Sequence, residues 1–89
     1  MVQKQVTIIN KLGLHARAAA KFVTLASSFS SEVDLSKDSQ TVNGKSIMGV
    51  MMLAASIGTR LTLTINGVDE DEASTRIEEL VLNKFGEEE

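Results

Sequence analysis

The clearest strand pattern of the chain is Leu61-Thr62-Leu63-Thr64-Ile65, which ends at Asn66-Gly67. Apolar and polar side chains alternate there, and a period of two puts the aliphatic side chains on one face of a strand. The acidic run at residues 69–72 suits the positive end of a helix, and apolar residues then recur at helical spacing. The last third of the chain is therefore predicted to be a half-buried strand followed by a helix.

The strand period of two residues and the helical spacing also occur upstream of residues 61–65. Residues 2–9 and 32–36 alternate as strands, residues 40–42 close a hairpin, and an apolar helical stripe starts at Ala16. Ser46 is expected to cap a short helix that reaches Met51 or Met52. The order strand, helix, strand, strand, helix, strand, helix predicts the α+β class, with a four-stranded antiparallel sheet and three helices on one face.

The composition excludes several classes of function. The chain has 89 residues, which predicts one domain over residues 1–89 with a cleft that is shallow or shared with a partner. It has no cysteine for a disulfide or a thiolate metal site, and a net charge of -3 with three Phe argues against nucleic acid. No apolar run resembles a membrane span or a signal peptide, so we expect a cytoplasmic protein without a membrane partner. The residues 87–89 are expected to form a solvated tail.

His15, the one histidine of the chain, lies directly before the helix predicted at Ala16. Ser, Thr, Asp or Asn would be the usual cap at this position, so a histidine there suggests a functional role. Free amides at a helix N-terminus bind phosphate, and Arg17 could hold phosphate oxygens with its planar guanidinium. The alternatives are a surface or loosely capping histidine and a solvated arginine. No metal site is expected without a second His or a Cys, and no cofactor is expected.

Two segments resemble the HPr family, the histidine phosphocarriers of the phosphoenolpyruvate-dependent phosphotransferase system. They are Lys11-Leu12-Gly13-Leu14-His15-Ala16-Arg17-Ala18 and Asn43-Gly44-Lys45-Ser46-Ile47-Met48-Gly49-Val50-Met51-Met52-Leu53-Ala54. The resemblance covers essentially the whole chain and implies an open-faced β-sandwich. It implies that His15 takes a phosphoryl group from enzyme I, usually on Nδ1, and passes it to an enzyme IIA domain while Arg17 stabilises the phosphohistidine. Such a protein is a carrier and not an enzyme.

The chain departs from the family pattern in two places. Ala18 stands where the family usually has proline, and positions 24, 27 and 49 lack the lysines found in many members of sugar systems. A sugar-transport branch and a nitrogen-related or regulatory branch therefore both stay open.

Ser46 has a second interpretation besides that of a helix cap. The sequence around it resembles family members in which HPr kinase/phosphorylase phosphorylates the matching serine. The resemblance thus implies a regulatory phosphorylation at Ser46.

The short helix carries more apolar side chains than one buried face needs. Most of Ile47, Met48, Met51 and Met52 are predicted to pack in the core, and the remainder to form an exposed patch. By resemblance, Ile47, Met48 and Met51 would form the docking face shared by enzyme I and enzyme IIA, together with Ala20 and Arg17 from the first helix.

Two functions are compatible with these residues. The first is the phosphocarrier, which we expect to be a monomer because His15 must visit two active sites in turn. The alternative is a non-catalytic regulatory module that binds proteins through residues 47–52 without chemistry at His15.

Overall fold

Four strands and three α-helices follow one another in the predicted order in the computed structural model, which describes all 89 residues. The elements are β1 (Val2–Thr7), α1 (Ala16–Ser27), β2 (Glu32–Lys37), β3 (Gln40–Asn43), α2 (Ile47–Met52), β4 (Arg60–Asn66) and α3 (Glu70–Leu82). A single 3-10 turn, Lys84–Gly86, follows α3. None of the helices has the length and apolar character needed to cross a lipid bilayer.

β4 is an inner strand of a sheet whose order is β1-β4-β2-β3, with every neighbouring pair antiparallel. Its alternation is as the sequence predicts, since Leu61, Leu63 and Ile65 are buried while Thr62 and Thr64 are half-buried. The predicted α+β class, with a four-stranded antiparallel open sheet and three helices, is confirmed.

The apolar core joins the inward side chains of the strands to the stripes of the helices. α1 and α3 contribute Ala18, Ala19, Phe22, Val23, Ala26, Ala73, Ile77 and Val81, all of them buried. Because β-strands and helices share this core, α1 has a fixed place against the sheet.

The segment 27–31 contains four serines but is not an exposed polar loop. Ser27 belongs to α1, Phe29 is buried, and Ser31 is only 1% exposed. Ser31 is tolerated in the interior because its amide and its hydroxyl both donate to the carboxylate of Asp69, at 2.9 and 2.5 Å. β1 is also shorter than predicted and ends at Thr7, although Ile8 still bonds to the turn at Gly58 and Thr59.

α2 leaves its apolar side chains in water, so the prediction that most of them are core is wrong. The exposed fractions are 44% for Ile47, 73% for Met48, 39% for Met51 and 65% for Met52, and Val50 is the helix's buried residue. A helix of six residues has less than two turns, and this one contacts α1 and β3 along one edge. The other sides of α2 face solvent and form an apolar patch.

The prediction of a solvated tail over residues 87–89 is wrong for Glu87, whereas Glu88 and Glu89 are exposed. Residues 84–86 have left-handed φ angles of 55, 56 and 81°, which turn the chain back after α3. The side chain of Phe85 anchors this turn in the core with 1% of its surface exposed. Glu87 is half-buried as a result, and the chain end returns to the N-terminus of α1.

Candidate functional site

The turn before α1 is fixed against the segment that follows α2. Gly13 has φ 69°, and a Cβ there would lie 2.9 Å from the Cα of Ser56, so only glycine fits both the conformation and the space. The amide of Leu14 donates to the carbonyl of Ala55 at 2.8 Å. His15 is thereby presented from a rigid support.

His15 is the N-cap of α1, with an extended backbone at φ -70° and ψ 177°. Its carbonyl accepts from the amide of Ala19 at 2.8 Å, and its Nδ1 accepts from the amide of Arg17 at 3.3 Å. The ring thus takes the place that a Ser, Thr, Asp or Asn side chain usually has in a cap. The bond to Nδ1 is long, which leaves this nitrogen accessible to a competing group.

The hydrogen bonds of His15 determine which ring nitrogen carries the proton. A backbone amide can only donate, so Nδ1 must offer its lone pair to Arg17. Nε2 then carries the proton, and it donates to the carboxylate of Glu87. The neutral ring therefore has its nucleophilic nitrogen toward the helix and its N–H toward the chain end.

Glu87 is held in place by a second bond on its other oxygen. The buried side chain of Asn10 donates to Glu87 Oε1 at 3.0 Å and to the carbonyl of Gly13 at 2.9 Å. The bond from Asn10, followed by the bond from His15, holds the pKa of Glu87 below its ordinary value, and partial burial opposes them. Glu87 is therefore a carboxylate throughout the neutral range.

A cleft of about 620 Å³ opens beside His15. Its lining residues are Lys11, Leu12, His15, Ala16, Arg17, Glu87, Glu88 and Glu89. Arg17 makes no salt bridge within the chain, so its guanidinium is free to receive an anion at this wall of the cleft.

The other predicted site residues lie outside this cleft. Ser46 caps α2, and its Oγ accepts from the amide of Gly49 at 3.1 Å. Ala20 is half-buried on α1, which packs against α2, where Ile47, Met48 and Met51 are exposed. The structure thus brings His15 and Arg17 together in one site and places the apolar patch on the adjoining helix.

Sequence reasoning missed Asn10 and Glu87. Asn10 directly follows the strand predicted at residues 2–9, and Glu87 was part of a predicted tail 72 residues from His15. A period or a spacing motif gives no signal for a contact at such a separation, because the left-handed turn at residues 84–86 creates it. No group of three or more His, Cys, Asp or Glu side chains is placed to hold a metal ion.

Comparison with known proteins identifies relatives of this chain. The family described as the PTS HPr component phosphorylation site matches residues 2–83. The phosphocarrier protein HPr of Cupriavidus necator is 55% identical over 87 residues, which is 98% of each chain. That of Pseudomonas aeruginosa is 54% identical over 84 residues, 93% of each chain.

Solved structures of HPr and of the related protein Crh are also similar to this chain. The crystal structure of HPr-C-His from Thermoanaerobacter tengcongensis superposes with a TM-score of 0.96 at 48% identity, covering all of both chains. Crh of Bacillus subtilis, the catabolite repression protein, has a TM-score of 0.76 at 49% identity over 94% of this chain and 97% of its own. Its crystal structure shows a dimer with a swapped domain.

Proposed function

The chain belongs to the HPr family, the phosphocarriers of the phosphotransferase system, and from this premise we propose that His15 carries the phosphoryl group. The observation that supports this proposal is the orientation of the ring, with the lone pair of Nδ1 at the N-terminus of α1. A nitrogen lone pair on an accessible, supported ring is what a covalent phosphoryl acceptor needs.

The surroundings of Nδ1 suit the charge that a phosphoryl group would bring. The first amides of α1 and the positive end of its dipole would face the phosphate oxygens. Arg17 could form two parallel charge-assisted bonds to them, because its guanidinium is unpaired. We assign Arg17 the role of stabilising phosphohistidine.

Phosphorylated enzyme I is the proposed donor, and an enzyme IIA domain is the proposed acceptor. Both would dock on the apolar patch of α2, at Ile47, Met48 and Met51, together with Ala20 of α1. Methionine side chains adapt to partners of different shape, and a relay requires small interfaces that dissociate quickly. We propose that the working form is a cytoplasmic monomer, because one patch would serve each partner in turn.

The proposal is tested by incubating the protein with phosphoenolpyruvate, magnesium and a purified bacterial enzyme I. Intact mass and phosphorus NMR should show one acid-labile phosphoryl group on the wild type and none on His15→Asn. Asparagine is a good N-cap, so this variant keeps the start of α1 while it removes the nucleophile. Failure of the wild type to gain the group would contradict the proposal and favour a binding module that acts through residues 47–52.

Arg17 is tested by the rate at which the same group is acquired. Arg17→Ala should slow phosphoryl uptake at least about tenfold, which corresponds to roughly 1.4 kcal/mol of transition-state stabilisation. Arg76→Ala is the matched control, because Arg76 is an exposed arginine of α3 whose contact is Glu72 at 3.9 Å. Equal rates of uptake for the two variants would show that Arg17 does not stabilise the phosphohistidine.

We further propose Ser46 as a regulatory phosphorylation site, the modifying partner being an HPr kinase/phosphorylase. Ser46→Ala should lower the free energy of unfolding by about 1 kcal/mol, because it removes the bond to the amide of Gly49. Ser46→Asp should keep the cap and the stability but slow uptake from enzyme I, because a charge beside the apolar patch disfavours docking. Ser39→Asp, in the exposed turn between β2 and β3, controls for charge alone, and equal rates for both Asp variants would contradict the proposal.

The branch of the system can be assigned by the acceptor. Phosphorylated protein is offered to an enzyme IIA domain of a sugar system and to one of a nitrogen-related system in parallel. The faster transfer identifies the branch, and comparable transfer to both would indicate a shared carrier.

A further inference from the structure

The chain end is attached to the His15 site by several independent contacts. Lys21 Nζ donates to the carbonyl of Phe85 at 2.7 Å, and the amide of Lys11 donates to the carbonyl of Glu89 at 2.6 Å. Asn10 holds Glu87 Oε1 from the side opposite His15. Contacts before and after Glu87 therefore fix the direction in which its carboxylate points.

We propose that Glu87 is a positioning residue for His15, whose carboxylate keeps the ring proton on Nε2 and so directs Nδ1 at the incoming phosphoryl group. This inference rests on the proposed function of His15 and adds a residue to it. The exposed fraction of the side chain is 15% for Glu87 and 29% for His15, so water competes only partly for the bond between them.

The orientation of the Asn10 side chain supports a functional role for its bond to Glu87. Asn10 is fully buried, and its Oδ1 has no hydrogen-bond partner, which is a destabilising arrangement. Reversing the amide would place Oδ1 against the carbonyl of Gly13 and the carboxylate of Glu87, two groups that can only accept. The chain therefore keeps an unsatisfied oxygen in order to direct both N–H bonds of Asn10 at this corner, as expected where function opposes stability.

The proposed step can be written with all bonds accounted for. The lone pair of Nδ1 forms a bond to phosphorus while the bond from phosphorus to the phosphohistidine nitrogen of enzyme I breaks, and that nitrogen keeps the electron pair. No proton has to move on His15, because Nε2 already carries it. The ring gains positive charge as the new bond forms, and the carboxylate of Glu87 lies beside the N–H where this charge is shared.

The same contact would assist the release of the group. With the proton still on Nε2, breaking the bond between Nδ1 and phosphorus returns a neutral imidazole and not an anionic one. A protonated ring is the better leaving group. Glu87 is therefore expected to accelerate transfer to an acceptor and also the slow transfer to water.

Glu87→Gln tests the inference with almost no change of shape. The amide oxygen of the substituted side chain would accept from Asn10, so its NH2 group would face Nε2 and oppose a proton there. Glu88→Gln is the matched control, because Glu88 lines the same cleft but makes no hydrogen bond to His15 or Asn10. Amide NMR spectra of both variants establish that the fold is intact.

Three measurements are compared among wild type, Glu87→Gln and Glu88→Gln. Long-range proton–nitrogen NMR should show a slowly exchanging proton on Nε2 in wild type and Glu88→Gln, and its loss in Glu87→Gln. Phosphoryl uptake from enzyme I and hydrolysis of the phosphohistidine should both be slower in Glu87→Gln, on the order of tenfold, as for carboxylates that orient metal-binding histidines. A merely structural role would not lengthen the life of the phosphohistidine.

The possible results separate this inference from the proposed function. Uptake by the wild type with identical spectra and rates in both variants would overturn the role of Glu87 and leave His15 as the acceptor. No uptake by the wild type would overturn both. A lost Nε2 proton with slower uptake and slower hydrolysis in Glu87→Gln alone would establish the inference.

Discussion

Lys21 Nζ lies 2.7 Å from the carbonyl oxygen of Phe85, across 64 residues of sequence. Lys21 is on α1, the helix whose N-terminus presents His15, and Phe85 belongs to the turn that leads to Glu87. One helix therefore supports both partners of the hydrogen bond between His15 and Glu87. The position of the chain end therefore depends on the bond from Lys21 to Phe85 as well as on the buried ring of Phe85.

Replacing Lys21 with Met should loosen the chain end. The variant keeps the length of the side chain but removes its donor, so we expect the free energy of unfolding to fall by about 1 kcal/mol. The amides of Gly86 and Glu87, each bonded at 2.9 Å to a carbonyl of the turn, should exchange faster with solvent. Hydrogen exchange by NMR measures this change. Lys4→Met, which removes a contact at 3.3 Å to Glu78, is the control and should leave both amides as they are.

Asp69 should make the stability of the protein depend on acid pH. The hydroxyl of Ser31 and then the amide of Ser30 hold the pKa of Asp69 below its ordinary value. Its folded pKa lies under its unfolded one, so the stabilisation is complete above the ordinary carboxyl range, about pH 4, and is lost as pH falls through the lower pKa. Asp69→Asn should therefore be less stable than the wild type at pH 7, and the two should converge in acid.

Denaturant unfolding at a series of pH values checks the prediction for Asp69. Glu72→Gln is the control, because Glu72 is exposed and its contact is Arg76 at 3.9 Å. Its curve should run parallel to that of the wild type. A constant difference between Asp69→Asn and wild type from pH 7 to pH 2 would show that the carboxylate does not act through ionisation.

The apolar patch of α2 should be dispensable for folding. Met48 is 73% exposed, so Met48→Ala should change the free energy of unfolding by no more than about 0.5 kcal/mol. Val50 is fully buried two residues later, and Val50→Ala should cost on the order of 2 kcal/mol. Titration calorimetry with enzyme I should show weaker binding for Met48→Ala. Unaltered affinity would place the docking face elsewhere.

Ala54 carries local strain that glycine should relieve. It follows α2 with a left-handed φ of 50°, which costs an alanine roughly 1 kcal/mol, and its side chain is exposed. Ala54→Gly should therefore raise the thermal midpoint, although the greater entropy of the unfolded chain offsets part of the gain. Ala20→Gly, within α1, should lower the midpoint because glycine costs about 1 kcal/mol inside a helix. A lower thermal midpoint for Ala54→Gly would contradict the inference that Ala54 is strained.

The sequence was sufficient to predict an element where its local periodicity agrees with the tertiary structure. The alternation at residues 61–65 predicted β4, and the stripe after the acidic run predicted α3. Ser46 was predicted to cap α2, and its Oγ does accept from the amide of Gly49. Each of these predictions needs only neighbours in the chain, for which periodicity and capping are direct signals.

The site was only half predictable from the sequence. His15 and Arg17 lie two residues apart at a helix start, so local rules bring them together. Asn10 and Glu87 meet them through a reversal at residues 84–86, where left-handed φ angles fall on a lysine and a phenylalanine that give no turn signal before the glycine. The exposure of α2 was misjudged for a related reason, since how much of a short helix is covered depends on its neighbours and not on its own pattern.

The strand order also has a consequence for the synthesis of the chain. β1 and β2 are both neighbours of β4 and do not pair with each other, so the hairpin of β2 and β3 is the only strand pair available before residue 60 is added. At about 5–20 residues per second, β1 waits several seconds on the ribosome with its apolar side chains unpartnered. A nascent chain that stalls before β4 would be a substrate for chaperones and proteases, whereas arrival of β4 allows the whole sheet to close in one cooperative event.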